Sequence, residues 1–166
     1  MGERRIVIDN LMLQYEGLFE LRELYMMVDK WLRQKGYDKF EKRNHEHVLK
    51  EGKYIEIELE PWKKITDYAK IVINLYFHCY NVKEVIVKKD GQDVKMNQGK
   101  IKIKFVGFLV TDYEDKWEGK PILYFLRAVM DKWVYRVNSE KFEAAVAEDV
   151  KHLYQNVKAF LNLFRY

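Results

Sequence analysis

The chain has little of what most catalytic and secreted proteins are built around. Its 166 residues include 1 cysteine, Cys79, and 2 prolines. A lone thiol closes no intramolecular disulfide and makes neither a zinc ribbon nor a CxxC redox pair, so a reducing, cytoplasmic setting is expected. Hydroxyls are also scarce: Ser139 is the sole serine, and Thr66 and Thr111 are the sole threonines. A serine nucleophile would have to be Ser139, which stands in Val-Asn-Ser-Glu-Lys-Phe-Glu and reads as a helix N-cap. The 8 glycines are scattered singly, and neither GxGxxG nor GxxxxGK[ST] occurs. The apolar stretches at 71–77 and 105–110 fall far short of the roughly 20 residues that span a bilayer, so no membrane span is expected. Asp9 and Asn10 interrupt the N-terminal stretch before a signal-peptide apolar region forms.

What the chain does have is core-forming material. Hydrophobic residues make up 48% and aromatics 15%, enough for one compact domain and too much for a disordered chain. No linker-like or repeated segment divides it, so residues 1–166 are expected to form a single domain. The 30 Lys and Arg against 26 Asp and Glu give a formal net charge of +4, a mild bias towards acidic partners.

The periodicities predict an α+β fold. Ile6 to Leu13 reads as a short first strand. From Leu18 to Lys35 apolar residues recur at three and four, with Gly36 placed to cap a helix in the left-handed conformation. Asp38 to Leu49 reads as a polar edge strand, and in Tyr54 to Trp62 isoleucines and leucine alternate with Glu56, Glu58 and Glu60 until Pro61 ends the strand. In Tyr68 to Tyr80 the odd-numbered Ala69, Ile71, Ile73, Leu75, Phe77 and Cys79 share the inward face. A separate run at Glu84 to Lys88 turns at Gly91, and Lys100 to Thr111 becomes apolar on both faces after Val106, so that Gly107 marks a bulge or a strand passing beneath a helix. Two helices should follow, one from Pro121 to Val137 and one from Ser139 to about Phe164 with Val146, Val150, Leu153 and Val157 on its apolar seam. The expected architecture is an antiparallel sheet of about five to seven strands with one N-terminal helix and two C-terminal helices packed on it.

Chemistry-bearing residues form few groups. Lys100, Lys102 and Lys104, with Lys88 and Lys95 nearby, make a lysine row suited to nucleic acid, and outward Tyr68, Tyr76 and Tyr80 are placed to stack bases. An acidic row, Glu56, Glu58 and Glu60, would neutralise the lysines as cross-strand pairs if the two rows face the same side, which makes a solvated face the reading expected ahead of nucleic-acid binding. His45 and His47 share a strand face as a pair of metal ligands, with His78 as a third; zinc sites want three or four. Asp112, Glu114, Asp115 and Glu118 crowd one loop without EF-hand spacing. No catalytic set and no cofactor is implied; Asp112, Glu114 and His78 are the groups to test for acid–base work. The first C-terminal helix is apolar on nearly every side, and Tyr124, Phe125, Met130 and Trp133 on it are the expected partner-binding residues.

Two passages, Ile-Glu-Leu-Glu-Pro-Trp-Lys-Lys-Ile-Thr-Asp-Tyr at 57–68 and Thr-Asp-Tyr-Glu-Asp-Lys-Trp-Glu-Gly-Lys-Pro at 111–121, resemble segments of small archaeal proteins of unassigned function. The element order is similar to the helix-grip (START-like) architecture, whose members often hold an apolar ligand between sheet and helix; two C-terminal helices depart from it. The leading expectation is a non-enzymatic interaction module that binds a protein or ribonucleoprotein partner, or itself as a homo-oligomer, through its apolar helices. Carriage of a small apolar ligand between Ile71, Ile73, Leu75, Phe77 and the last helix is the alternative, and nucleic-acid binding through the lysine row is the second.

Overall fold

The computed structural model describes residues 3–111, 122, 125 and 135–164. The elements are β1 (Glu3–Phe19), α1 (Leu21–Gln34), β2 (Glu41–Leu49), β3 (Gly52–Leu59), β4 (Trp62–Lys64), β5 (Ala69–Lys89), β6 (Gln92–Thr111) and α2 (Tyr135–Asn162). All strand pairs are antiparallel, in the order β1-β6-β5-β3-β2, with the short β4 added beside β5 to make a 6-stranded sheet. The first strand therefore lies beside the last, and β2 forms the opposite edge.

Two strands are longer than their local alternation suggests, because bulges interrupt the period. β1 runs for 17 residues rather than Ile6 to Leu13, with register shifts around Ile8 and Asn10 at a left-handed φ of 56°. The runs on either side of Asn81 are one 21-residue strand, β5, broken only in register where Asn81 has φ 53°. The backbone at this kink comes so close to its neighbours that a Cβ at Gly99 would stand 2.8 Å from the Tyr80 carbonyl oxygen. The hairpin to β6 turns through Asp90 and Gly91 at φ 51° and 77°, both left-handed as a two-residue type I′ turn requires.

Odd-numbered residues of β5 up to Cys79 point into the core as expected, from Ala69 at 0% exposure to Phe77 at 2%. Both helices pack on that face, whose core includes Leu24, Val28 and Leu32 of α1 and Val146, Val150, Leu153, Val157 and Leu161 of α2. Burial pushes the Cys79 thiol up to about 12, so it stays protonated and inert. Gly36 closes α1 with φ 79°: the Tyr37 amide donates to the Leu32 carbonyl at 2.8 Å and the Gly36 amide to Arg33 at 3.1 Å, the two bonds of a Schellman cap. At the other end no side chain of the preceding residues caps the helix; the Leu21 amide donates instead to Asn97 Oδ1 of β6 at 3.2 Å.

The helix count differs from expectation. Among the described residues two helices are complete, not three: of the segment expected as the first C-terminal helix only Ile122 and Phe125 are described ahead of Tyr135, both helical. Ser139 is not an N-cap, because α2 begins at Tyr135 and carries Ser139 in its second turn. At 1.5 Å per residue this 28-residue helix is about 42 Å long. It crosses β6 at Gly107, where a Cβ would stand 2.8 Å from Val150 Cγ2 and 2.9 Å from Val146 Cγ1. Of the two expected readings of Gly107, the strand passing beneath the helix holds; β6 itself keeps its register through Gly107, and the bulge lies in the neighbouring β1. Val106 and Val110, on the other face, are also buried.

One polar node ties α2 to the rest. The Asp149 carboxylate accepts from the Tyr37 hydroxyl at 2.6 Å and from Lys63 Nζ of β4 at 2.9 Å, with Lys35 Nζ 3.9 Å away. One turn on, the Trp31 indole donates to His152 Nδ1 at 2.9 Å, and Trp31 stacks on Tyr37 with centroids 5.9 Å apart. No helix among the described residues is long and apolar enough to cross a membrane.

Candidate nucleic-acid interface

The face of the sheet opposite α1 and α2 carries an ordered set of polar and aromatic side chains. Register places His45 of β2 opposite Glu56 of β3, Glu56 opposite His78 of β5, His78 opposite Lys102 of β6, and Lys102 opposite Gln14 of β1. Opposed residues on neighbouring strands have Cβ atoms about 5 Å apart, so these side chains form one continuous transverse row. A parallel row runs through Glu58, Tyr76, Lys104 and Met12, and Tyr80 faces Lys100.

The rings in this field touch one another. His47 stacks on Tyr54 with centroids 6.1 Å apart, Tyr54 meets Tyr80 at 5.2 Å and His78 at 6.3 Å, and His78 stacks on Tyr80 at 6.5 Å. A hydrogen bond of 2.8 Å joins the Tyr54 hydroxyl to His78 Nδ1. Lysines border the rings: Lys102 Nζ lies 5.7 Å from the centre of Tyr80, and Lys104 Nζ lies 5.8 Å from that of Tyr76. Met12, Tyr76, His78, Tyr80, Lys102 and Lys104 line a depression of about 300 Å³. The Tyr76 hydroxyl accepts from Asn74 Nδ2 at 3.1 Å, and Asn74 in turn accepts from Arg4 at 3.4 Å, which fixes the upper rim.

The expected neutralisation of lysines by glutamates does not occur. The two rows share a face, but β5 lies between β3 and β6, which sets them two strand spacings, about 9.6 Å, apart. Glu56 pairs instead with Arg43 at 2.8 Å, and that guanidinium holds its carboxyl below the usual range. Glu60 pairs with Lys42. Among the described residues no carboxylate lies within ion-pair distance of Lys100, Lys102 or Lys104, although Glu16 is the register partner of Lys100. Partial burial, then the Glu56 charge, push the Tyr54 phenol up, so its hydroxyl stays protonated.

The five lysines do not act as one row. Lys100, Lys102 and Lys104 share this face, whereas Lys95 is odd-numbered on β6 and falls on the opposite one. Lys88 pairs with Asp93 on that same opposite side, because the extra residue at Asn81 reverses the alternation of β5. Tyr76 and Tyr80 lie on the candidate face, but Tyr68 precedes β5 and packs against the core. Tyr54 and Met12 were not singled out from the sequence; the parity of Tyr54 with Glu56 and Glu58 was the available signal. His45 and His47 stand on the exposed edge strand with ring centroids 6.4 Å apart, and His78 is separated from them by β3. Among the described residues no group of three or more His, Cys, Asp or Glu side chains is placed to hold a metal ion. Tyr124, Met130, Trp133, Asp112, Glu114, Asp115 and Glu118 lie outside the described residues; Phe125 is 70% exposed.

Two other sites are less suited to a ligand. Ile71, Ile73, Leu75 and Phe77, expected to line an apolar pocket beneath the last helix, are at most 2% exposed and belong to one core cluster with that helix. A wider groove of about 780 Å³ opens between the start of α1 and β2–β3; within it Lys53 pairs with Glu46 at 3.0 Å and the Tyr25 hydroxyl donates to Glu41. Comparison with family models, with curated proteins and with solved structures finds no match to this chain.

Proposed function

We propose that the chain binds single-stranded nucleic acid on the outer face of its sheet, with bases on the Tyr54, His78 and Tyr80 rings and phosphates on Lys100, Lys102 and Lys104. The observation that carries this reading is a connected group of rings bordered by ammonium groups that no described carboxylate neutralises. Base–aromatic stacking contributes about 1–3 kcal/mol per base whatever the sequence, and each lysine–phosphate contact adds salt-sensitive affinity. Glu58, on β3 beside Tyr76, repels phosphate and keeps the backbone of the strand towards the lysines of β6.

Fluorescence anisotropy with a labelled ten-nucleotide oligouridylate tests it. Three phosphate contacts predict a slope of about −2 in log affinity against log salt. Replacing the three lysines by glutamine should flatten that slope, and Tyr80→Ala should weaken binding by roughly 5- to 100-fold at constant slope. A salt-independent isotherm, or equal binding by all variants, would remove this function.

A second reading, an interaction module that binds a protein partner or itself as a homo-oligomer, is favoured by Ile122 and Phe125, which are helical, three residues apart, and 77% and 70% exposed. In its self-association form, light scattering should give a mass that rises with concentration and returns to 20.2 kDa in Phe125→Asp. A monomer at every concentration excludes that form.

A further inference from the structure

We infer that the depression between β5 and β6 cleaves the RNA it binds, with His78 as the base that takes the proton of a 2′-hydroxyl. This rests on the nucleic-acid reading and adds an activity to it. Met12, Tyr76, His78, Tyr80, Lys102 and Lys104 line an open depression of about 300 Å³, and His78 is the one imidazole among them, the side chain most often used as a general base. Its ring is not free to turn: Nδ1 is tied to the Tyr54 hydroxyl at 2.8 Å and the ring stacks on Tyr80. With the Nδ1 proton donated to the Tyr54 oxygen, the lone pair lies on Nε2, the ring nitrogen that Tyr54 does not occupy. Lys102 is its register partner on the next strand, so a phosphate held there comes beside the base. The titratable and charged groups that face His78 are Tyr54 and Glu56 from β3, Lys102 and Lys104 from β6, and Tyr76 and Tyr80 from its own strand.

The step balances without an outside reagent. His78 Nε2 takes the 2′-hydroxyl proton, the 2′-oxygen bonds to phosphorus, and the bond from phosphorus to the 5′-oxygen breaks. The departing 5′-oxygen takes a proton from water, and the resulting hydroxide is neutralised by the proton on His78. The products are a 2′,3′-cyclic phosphate and a 5′-hydroxyl. Lys102 and Lys104 offset the extra negative charge on phosphorus at the transition state, where such contacts count most. DNA, which lacks the 2′-hydroxyl, should bind and remain intact.

The test uses the full chain with 5′-labelled oligouridylate and its 2′-deoxy counterpart, in EDTA, with product ends identified by mass spectrometry. Cleavage of the RNA alone to a cyclic phosphate is expected. His78→Gln should slow single-turnover cleavage by about 100-fold or more, the usual share of a positioned base, measured at protein concentrations that saturate the RNA, because loss of a stacking ring also weakens binding. Circular dichroism of the same sample reports folding of the variant. Tyr54→Phe keeps the ring for stacking; it should slow cleavage about 10-fold and shift its pH–rate profile, as loss of an orienting bond does and loss of packing does not. RNA bound but intact overturns the cleavage and leaves the binding function standing. Cleavage that EDTA abolishes or that His78→Gln leaves unchanged also overturns it. No binding of either oligomer removes both.

Discussion

Asp149→Ala is expected to lower the stability of the protein by about 2–4 kcal/mol, because it strips the acceptor from a buried phenol and leaves the Lys63 ammonium without its partner. For a chain of this length such a loss lowers Tm by about 10 °C. Asp149→Asn keeps one acceptor oxygen and should lose roughly half as much. The node has an alkaline signature as well. Burial, and then the Asp149 carboxylate that accepts its hydrogen bond, raise the Tyr37 phenol far above its ordinary value of 10.0. Above about pH 10 the unfolded chain releases this proton while the folded chain holds it, so the unfolded state binds fewer protons and stability falls as pH rises. Tyr37→Phe should make that alkaline decline shallower by up to about 1.4 kcal/mol per pH unit. Urea denaturation at pH 8 and pH 11 measures both effects; an Asp149→Ala loss below 1 kcal/mol would mean that the node is a solvated surface pair.

Gly107→Val should be at least as damaging. Its backbone is ordinary for a strand, so the penalty is wholly steric: the first added carbon falls 2.8 Å from Val150 Cγ2 and 2.9 Å from Val146 Cγ1. Valine side chains are stiff in a helix, so the helix itself must lift, drawing Leu153 and Val157 away from the sheet. Overpacking of this kind costs about 1–3 kcal/mol for the alanine variant and more for valine. A double-mutant cycle separates clash from general disturbance: Gly107→Ala with Val150→Ala should lose less than the sum of the two single changes. Strict additivity would place the helix elsewhere.

Much of the fold was legible because alternation and capping are local. Ala69 to Cys79 announce their inward face by parity, Asp90–Gly91 can make a two-residue hairpin turn, and Gly36 stops α1. What escaped is what an extra residue hides. Asn10 and Asn81 each insert a step into a strand, which made β1 look short, split β5 in two and concealed that Lys88 had changed sides. Ser139 misled for a different reason: a capping preference is worth about 1 kcal/mol and yields where the helix has better reason to start earlier. The candidate site was half visible. Lys100, Lys102, Lys104, Tyr76 and Tyr80 were readable one strand at a time, but the interposition of β5 between the acidic and basic rows is a matter of strand order, which no single strand encodes. Tyr54 is not legible from its own strand because it meets the other rings across strand boundaries, His47 on β2 and His78 and Tyr80 on β5.

The pairing of β1 with β6 sets the order in which this chain becomes a protein. Glu3 meets Thr111 and Phe19 meets Asn97, so the opening strand waits for a mate synthesised some hundred residues afterwards. At about 5–20 residues per second on the ribosome that delay is on the order of 5–20 s. The β5–β6 ribbon, whose two arms are joined by two residues, closes at small entropic expense, whereas pairing β1 with β6 must close the whole chain from Phe19 to Asn97 at a larger one. During that interval nascent chains carry both an unpaired strand and the vacant ribbon edge that fits it, and exchange of β1 between neighbours is the misassembly to which this topology is most prone.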